Sequence, residues 1–279
     1  MSTLEDLTTA AAAGRNEHQL IAGEPIPLPS GRALYTDNVI IGGTGSGGSS
    51  LAAAIAARVL ACDAAPRLVV ITPSSARSGT GNWDAWLQAF PQGQIAPLLI
   101  DDWTPSTGGG EGCQRALTLV HSVALEAERH LLMNQRRTLL VLDDAFHLVR
   151  RMALPFPLER TITTITQVQA VDDLLASTFG RLLLESATTF WIGNLGEAST
   201  EVPGLGRLPR HRQQHTGEDA RDFLLIHPRA GLIRSVLVRR EDVPAAFIHA
   251  APLDRRNPNP TNSPATADGS PDEPLHAER

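Results

Sequence analysis

The chain has 279 residues, 42% of them hydrophobic, with a formal net charge of -6, a mean hydropathy of -0.09 and a sequence pI near 5.8. That length can bury a substantial core in one large domain or two small ones. The acidic balance excludes bulk attraction to nucleic acid or to an anionic membrane surface. All 24 basic residues are Arg, so every mechanism that needs a lysine amine is excluded as well.

Cys62 and Cys113 show no C-x-x-C pairing, which points away from a disulfide framework and toward a reduced, cytoplasmic compartment. The Ala run at 10–13 is too short for a signal-peptide core and lacks a basic flank. Nothing approaches the ~20 apolar residues that span a bilayer, so no transmembrane segment is expected.

In chain order, residues 1–25 read as an N-terminal arm that can hold a short helix before the Pro-punctuated lead-in Gly23 to Pro29. Val39 to Ile41 is a buried strand. It enters a glycine-rich turn, Gly42 to Gly48, and leaves through Ser49 and Ser50 into an Ala-rich helix, Leu51 to Leu60. Arg67 to Thr72 is a second strand, ended by Pro73. A short helix is expected around Trp83 to Phe90, a third strand over Ala96 to Ile100, and a flexible stretch over 104–112. Cys113 to Asn134 reads as a helix with Leu117, Val120, His121 and Ala124 on its inner face.

Thr138 to Leu142 is the clearest strand and runs into Asp143 and Asp144. After a Pro-bearing loop at 151–158 come a strand over 161–166, one helix over 168–185, and a strand over 188–192. Residues 196–218 form a loop rich in Gly, Pro, Arg and His. Phe223 to Ile226 and Leu232 to Val238 close the domain as a hairpin around Arg229, Ala230 and Gly231. From Asp254 the tail is Pro-, Asn- and Asp-rich and predicts disorder. Buried strands alternating with helices predict one α/β domain with a mostly parallel sheet over residues 26–253.

A strand, a glycine loop and a helix present backbone N–H groups and a positive helix end to a phosphate. Residues 42–49 fit G-x-x-x-x-G-K-[ST] everywhere but at Gly48, which stands where the phosphate-binding Lys belongs. The candidate binding residues are Gly42, Gly43, Thr44, Gly45, Ser46, Gly47, Gly48, Ser49 and Ser50. Gly43, Gly45 and Gly48 also fit the dinucleotide fingerprint G-x-G-x-x-G. The second strand, however, ends without the acidic residue that would bind a ribose. The Tyr–Lys pair of a short-chain dehydrogenase is excluded by the absence of Lys. A glycine turn that holds no ligand is the plain alternative.

Leu139 to Asp144 has the form of a Walker B strand, which delivers Asp143 to the sheet edge, where with Ser49 it can hold Mg²⁺. Asp144 would lie beside an attacking water, one methylene shorter than a Glu. Gln167, at the end of the 161–166 strand, can hydrogen-bond a γ-phosphate and that water, or simply cap the following helix. Asp144 and Gln167 are the candidate catalytic pair. The His residues show no metal spacing, and His211 and His215 with Arg207, Arg210 and Arg212 read as a solvated loop.

Taken in order, Val-Ile-Ile-Gly-Gly-Thr-Gly-Ser-Gly-Gly-Ser-Ser (39–50), Leu-Val-Leu-Asp-Asp-Ala-Phe-His-Leu-Val (140–149), Thr-Gln-Val-Gln-Ala-Val-Asp-Asp-Leu-Leu (166–175) and Leu-Glu-Ser-Ala-Thr-Thr-Phe-Trp-Ile-Gly-Asn (184–194) resemble the motor domain of conjugative-transfer ATPases of type IV secretion systems. These belong to the FtsK–HerA superfamily of P-loop NTPases. The chain departs from them in lacking the Lys, in having Asp144 for Glu, and in a short segment between Walker B and Thr-Gln. It also carries no counterpart of their large N-terminal domain. The resemblance implies a RecA-like P-loop fold, ATP and Mg²⁺ as cofactors, and a homo-oligomeric, hexameric ring. It also implies secretion-system subunits as partners, with DNA a further candidate. Without the Lys, nucleotide binding with weak or absent hydrolysis is the leading expectation. The rivals are an active ATPase rescued by an Arg, and a structural subunit that binds no nucleotide.

Overall fold

A computed structural model describes residues 19–20, 25–43, 45–62, 66–72, 83–88, 111–134, 137–144, 149, 161–194, 201–202, 206–207 and 220–248. Thr44, the 96–100 strand, most of the 196–218 loop and the 254–279 tail lie outside them.

The core of the domain is five parallel strands: β3 (Asn38–Ile41), β4 (Arg67–Ile71), β5 (Thr138–Leu142), β6 (Ile162–Val168) and β7 (Thr189–Ile192). Their apolar, β-branched runs carry no polar alternation because both faces are covered, as in parallel sheets generally. Every residue of β3, β5, β6 and β7 is buried. One face packs on α2 (Gly48–Leu60), α3 (Trp83–Gln88) and α7 (Ala245–Ile248), where Ile40, Val70 and Val141 meet Leu51, Ile55, Trp83 and Phe247. The opposite face packs Val39, Ile41 and Leu142 against α4 (Glu111–Asn134), α5 (Val171–Leu175) and α6 (Thr178–Ser186), through Val120, Leu174, Phe179 and Leu183.

The spatial order is β7-β3-β6-β5-β4. Counted along the chain, the first parallel strand lies between the fifth and the fourth, with the third and second beyond. The connection leaving β3 runs to the β4 side, whereas the one leaving β6 runs past β3 to β7. Connections that part in this way leave a crevice at the carboxyl ends of the strands, where α/β sheets bind ligands. The sheet continues past β7 with an antiparallel hairpin, β10 (Ala220–His227) and β11 (Leu232–Arg239), turned at Gly231 with φ 61°. The short strands β1 (Gln19–Leu20) and β2 (Ile26–Pro27) pair with β11, and α1 (Gly31–Leu34) precedes β3. In the 196–218 stretch, β8 (Glu201–Val202) pairs with β9 (Gly206–Arg207).

Three expectations change. The single helix over 168–185 is two, because β6 runs on to Val168 and Ser177 restarts the chain as an N-cap, its Oγ accepting from the Gly180 N–H at 2.9 Å. The inner face of α4 is Val120, Val123 and Ala127 with Ala124 half-buried, while His121 is exposed. The same helix begins at Glu111, inside the stretch expected to be flexible.

Candidate functional site

The five parallel strands end at one edge, and each contributes to the crevice. From β3 the chain passes through Gly42 and Gly43. The Gly42 N–H donates to the Val168 carbonyl at 3.1 Å, and the Gly43 N–H to the Asn194 carbonyl at 2.9 Å. The loop is therefore pinned to the ends of β6 and β7, one on each side. Ser46 is buried and returns a backbone bond to the Gly43 carbonyl at 3.0 Å. Gly47, the N-cap of α2, has φ 85°, which an L side chain rarely adopts, and α2 then starts at Gly48. The N–H groups of Gly48, Ser49 and Ser50, in the first turn of α2, precede its first intrahelical bond, from the Leu51 N–H to the Gly47 carbonyl, and such groups suit an anion.

Asp143, just past β5, is fully buried. One of its oxygens, Oδ2, accepts from the Trp83 indole N–H at 2.6 Å and from the Thr72 hydroxyl at 3.4 Å. The Ser49 side chain also lies near this carboxylate and favours its charged form. Its other oxygen, Oδ1, is buried with no hydrogen-bond partner among the described residues. Burial pushes the Asp143 carboxyl up to about 6, against the pull of the Trp83, Ser49 and Thr72 donors, while the Asp144 charge adds to the rise. A buried carboxylate with one orphaned oxygen beside a helix-start serine is the donor set a hard divalent cation uses, so Mg²⁺ fits here. Asp143 and Ser49 would hold it, and it would supply charge neutralisation at bound phosphates.

Asp144 takes φ 48°, a left-handed conformation that Asp tolerates better than most residues. Its N–H donates to Gln167 Oε1 at 2.6 Å, and its Oδ1 accepts from Gln169 Nε2 at 3.0 Å. Gln167 lies within β6 rather than after it, is buried, and folds across the start of α2. A Cβ placed on Gly48 would stand 2.9 Å from Gln167 Cγ and 3.0 Å from its Nε2. The amide of Gln167 therefore fills the space beside position 48 and ties the loop helix to Asp144.

The crevice thus brings together Gly42, Gly43, Gly45 to Ser50, Asp143, Asp144 and Gln167. Sequence reasoning missed Trp83, Thr72, Gln169 and Arg221. Arg221 is exposed, and its Nη1 donates to the Gly45 carbonyl at 2.8 Å. For Trp83 no local pattern could have served, since the indole reaches Asp143 across 60 residues of sequence. Gln169 was legible in principle, two positions after Gln167 on the same strand edge.

Trp83 also packs edge-on against Phe247, ring centroids 5.0 Å apart. Trp83→Phe keeps one aromatic ring of the buried indole and deletes the donor, so a packing loss that does not depend on pH accompanies the lost hydrogen bond. Because a hydrogen bond to a charged group contributes about 1.5–3 kcal/mol, urea denaturation at pH 7.5 should show a loss of at least that size. The loss should shrink at pH 5, where Asp143 carries its proton.

No protein-family profile matches the chain, and no curated protein sequence is detectably similar to it. Solved structures with a similar arrangement include EscN, the ATPase of the enteropathogenic E. coli type III secretion system, at 16% identity and TM-score 0.38, over 57% of this chain and 43% of that one. Another is the genome packaging NTPase B204 from Sulfolobus turreted icosahedral virus 2, in complex with ATP-gammaS, at 13% identity and TM-score 0.42, over 73% and 97%. A third is EccC (ATPases 2 and 3) from Thermomonospora curvata, at 13% identity and TM-score 0.44, over 78% and 43%. The chain spans less than half the length of the EscN and EccC chains. By its own strand order the chain has an α/β fold with a mostly parallel central sheet, and this order brings the glycine loop and the buried carboxylate together at one edge.

Proposed function

We propose that the chain binds a Mg²⁺-nucleoside triphosphate, ATP by resemblance, in the crevice at residues 42–50, with weak or no hydrolysis. In this proposal it acts as a cytoplasmic, ring-forming subunit of a conjugative-transfer or secretion assembly. One observation carries the binding reading: buried Asp143, with an orphaned oxygen, lies beside Ser49 at the start of the loop helix. A turn that holds nothing gives no reason to bury a carboxylate there with one oxygen unbonded among the described residues, since burying a charge that is not fully hydrogen-bonded is costly.

Three features support slow turnover. Gly48 offers no ammonium to the β- and γ-phosphates, where charge develops during transfer. By comparison with single electrostatic donors, that loss lowers the rate by roughly 10²-fold or more. Gln167 is engaged with the Asp144 backbone, and Gln169 holds the Asp144 carboxylate that would orient a water. Ring assembly, secretion partners and DNA rest on the resemblance of the motifs. Among the described residues, no helix is long and apolar enough to cross a membrane.

Ser49→Ala tests the reading. Titrated with ATP, the wild type should bind more tightly with Mg²⁺ than with EDTA. Ser49→Ala should lose most of that Mg²⁺-dependent gain and keep its Mg²⁺-independent affinity within a few-fold. An unchanged Mg²⁺ response would remove Ser49 from the cation site.

A further inference from the structure

We infer that Arg221 is a nucleotide-binding residue and supplies this site with the positive charge that Gly48 does not; the inference rests on the nucleotide reading above. β10 runs antiparallel to β7, so its N-terminal end reaches the edge where the parallel strands finish. Leu224 pairs with Ile192, which places Arg221 three residues further on, beyond the end of β7 and over the phosphate loop. There the guanidinium lies against Gly47: a Cβ on that glycine would stand 2.6 Å from Arg221 Nη1 and 2.7 Å from its Cδ. The bare glycine at 47 therefore serves two ends, the left-handed N-cap of α2 and the close passage of Arg221.

The hydrogen bond from Nη1 goes to the Gly45 carbonyl, which neutralises none of the charge. A guanidinium has five N–H donors, so one can hold the loop while others remain for an anion. A lysine ammonium, being a compact point charge, would not bridge carbonyl and phosphate with the same fixed fork. Arg221 also lines, with Gly47, Ser50, Phe223, Val238 and Arg239, a cavity of about 220 Å³ beside the loop. Arg239 has a carboxylate partner of its own, Glu241 at 3.2 Å. The cavity joins the loop backbone at Gly47 and Ser50 to an apolar wall at Phe223 and Val238. A phosphate on the Ser50 side of the loop, continuing into a nucleoside in the cavity, would place Arg221 between the two. Its ligand is thus the phosphate chain of a nucleoside polyphosphate, at the end nearer the nucleoside.

The test compares wild type, Arg221→Gln and Arg221→Lys, titrated with Mg²⁺-ATP and with inorganic tripolyphosphate at several salt concentrations. The side chain is exposed, so melting temperatures of both variants should stay close to wild type. Charge-assisted hydrogen bonds are about twice as strong as neutral ones, and Arg221→Gln should weaken both ligands about 10- to 100-fold and flatten the salt dependence. Arg221→Lys should keep the wild-type salt dependence and lie within a few-fold in affinity. A merely structural role for Arg221 would leave the salt dependence of Arg221→Gln unchanged, and that result, with wild-type binding intact, would overturn the assignment alone. A wild type that binds neither ligand would overturn the nucleotide reading, and the assignment with it.

Discussion

Gly48→Lys should raise ATP affinity about 10- to 100-fold, the range expected for one charge-assisted contact to phosphate of about 1.5–3 kcal/mol. From the sequence, this substitution looks harmless: position 48 is the first residue of a helix and needs no special backbone. The backbone is indeed helical there, but the space is taken. A Cβ would stand 2.9 Å from Gln167 Cγ, so the new side chain must push Gln167 off the Asp144 N–H. The helix gains up to about 1 kcal/mol from losing a glycine, and the displaced hydrogen bond returns about as much. Stability should therefore change by no more than about 1 kcal/mol in either direction. The double variant Gly48→Lys with Gln167→Ala should relieve the crowding and bind ATP at least as well. A loss of several kcal/mol with no gain in ATP binding would favour the dinucleotide alternative, in which the third glycine permits close helix–strand packing.

Asp143→Asn should have opposite effects on the empty and the loaded protein. A carboxyl whose proton is held up to about 6, from an ordinary 3.8, favours folding only while protonated. Its contribution is fully present below about pH 3.8 and is lost as the pH rises through about 6. At pH 7.5 the buried charge then costs on the order of 3 kcal/mol. Asp143→Asn removes that charge and keeps an oxygen for the Trp83 N–H, so without Mg²⁺ the variant should melt higher than wild type at pH 7.5. The gap should narrow to about a third of that by pH 4.5. Added Mg²⁺-ATP should stabilise the wild type and leave the variant nearly unmoved. Differential scanning calorimetry across pH 4.5–7.5 reads both effects. A variant that is destabilised at pH 7.5 and still responds to Mg²⁺ would show that Asp143 is a structural hydrogen-bond acceptor.

The fold was legible because its information is local. Val39 to Ile41, Leu68 to Ile71 and Leu139 to Leu142 are apolar runs bounded by Gly, Pro or Asp, and only a sheet covered on both faces buries such runs. The loop was legible for the same reason, since Gly42, Gly47 and Ser49 lie at fixed spacing. What stayed hidden depends on contacts between distant segments. The indole of Trp83 on Asp143 and the guanidinium of Arg221 on Gly45 join residues 60 and 176 positions apart. The role of Gln167 was half legible: its place near the edge followed from the Thr-Gln pattern, but its position over Gly48 required the register of β3 on β6, where Ile40 pairs with Gln167. The expected inner face of α4 differs at His121, which is exposed because one residue along a helix turns the side chain about 100° away from buried Val120.

The central claim is that the crevice binds Mg²⁺-ATP and turns it over slowly or not at all. Isothermal titration calorimetry of the full chain with Mg²⁺-ATP, followed by phosphate release from the same sample, measures both halves. The account predicts saturable binding with about one site per chain, and phosphate release at least about 100-fold below the typical ~10 per second of an enzyme. Saturable binding with turnover at ordinary enzyme rates would contradict the second half. No binding heat with ATP at millimolar concentration, in the presence or absence of Mg²⁺, would contradict the first.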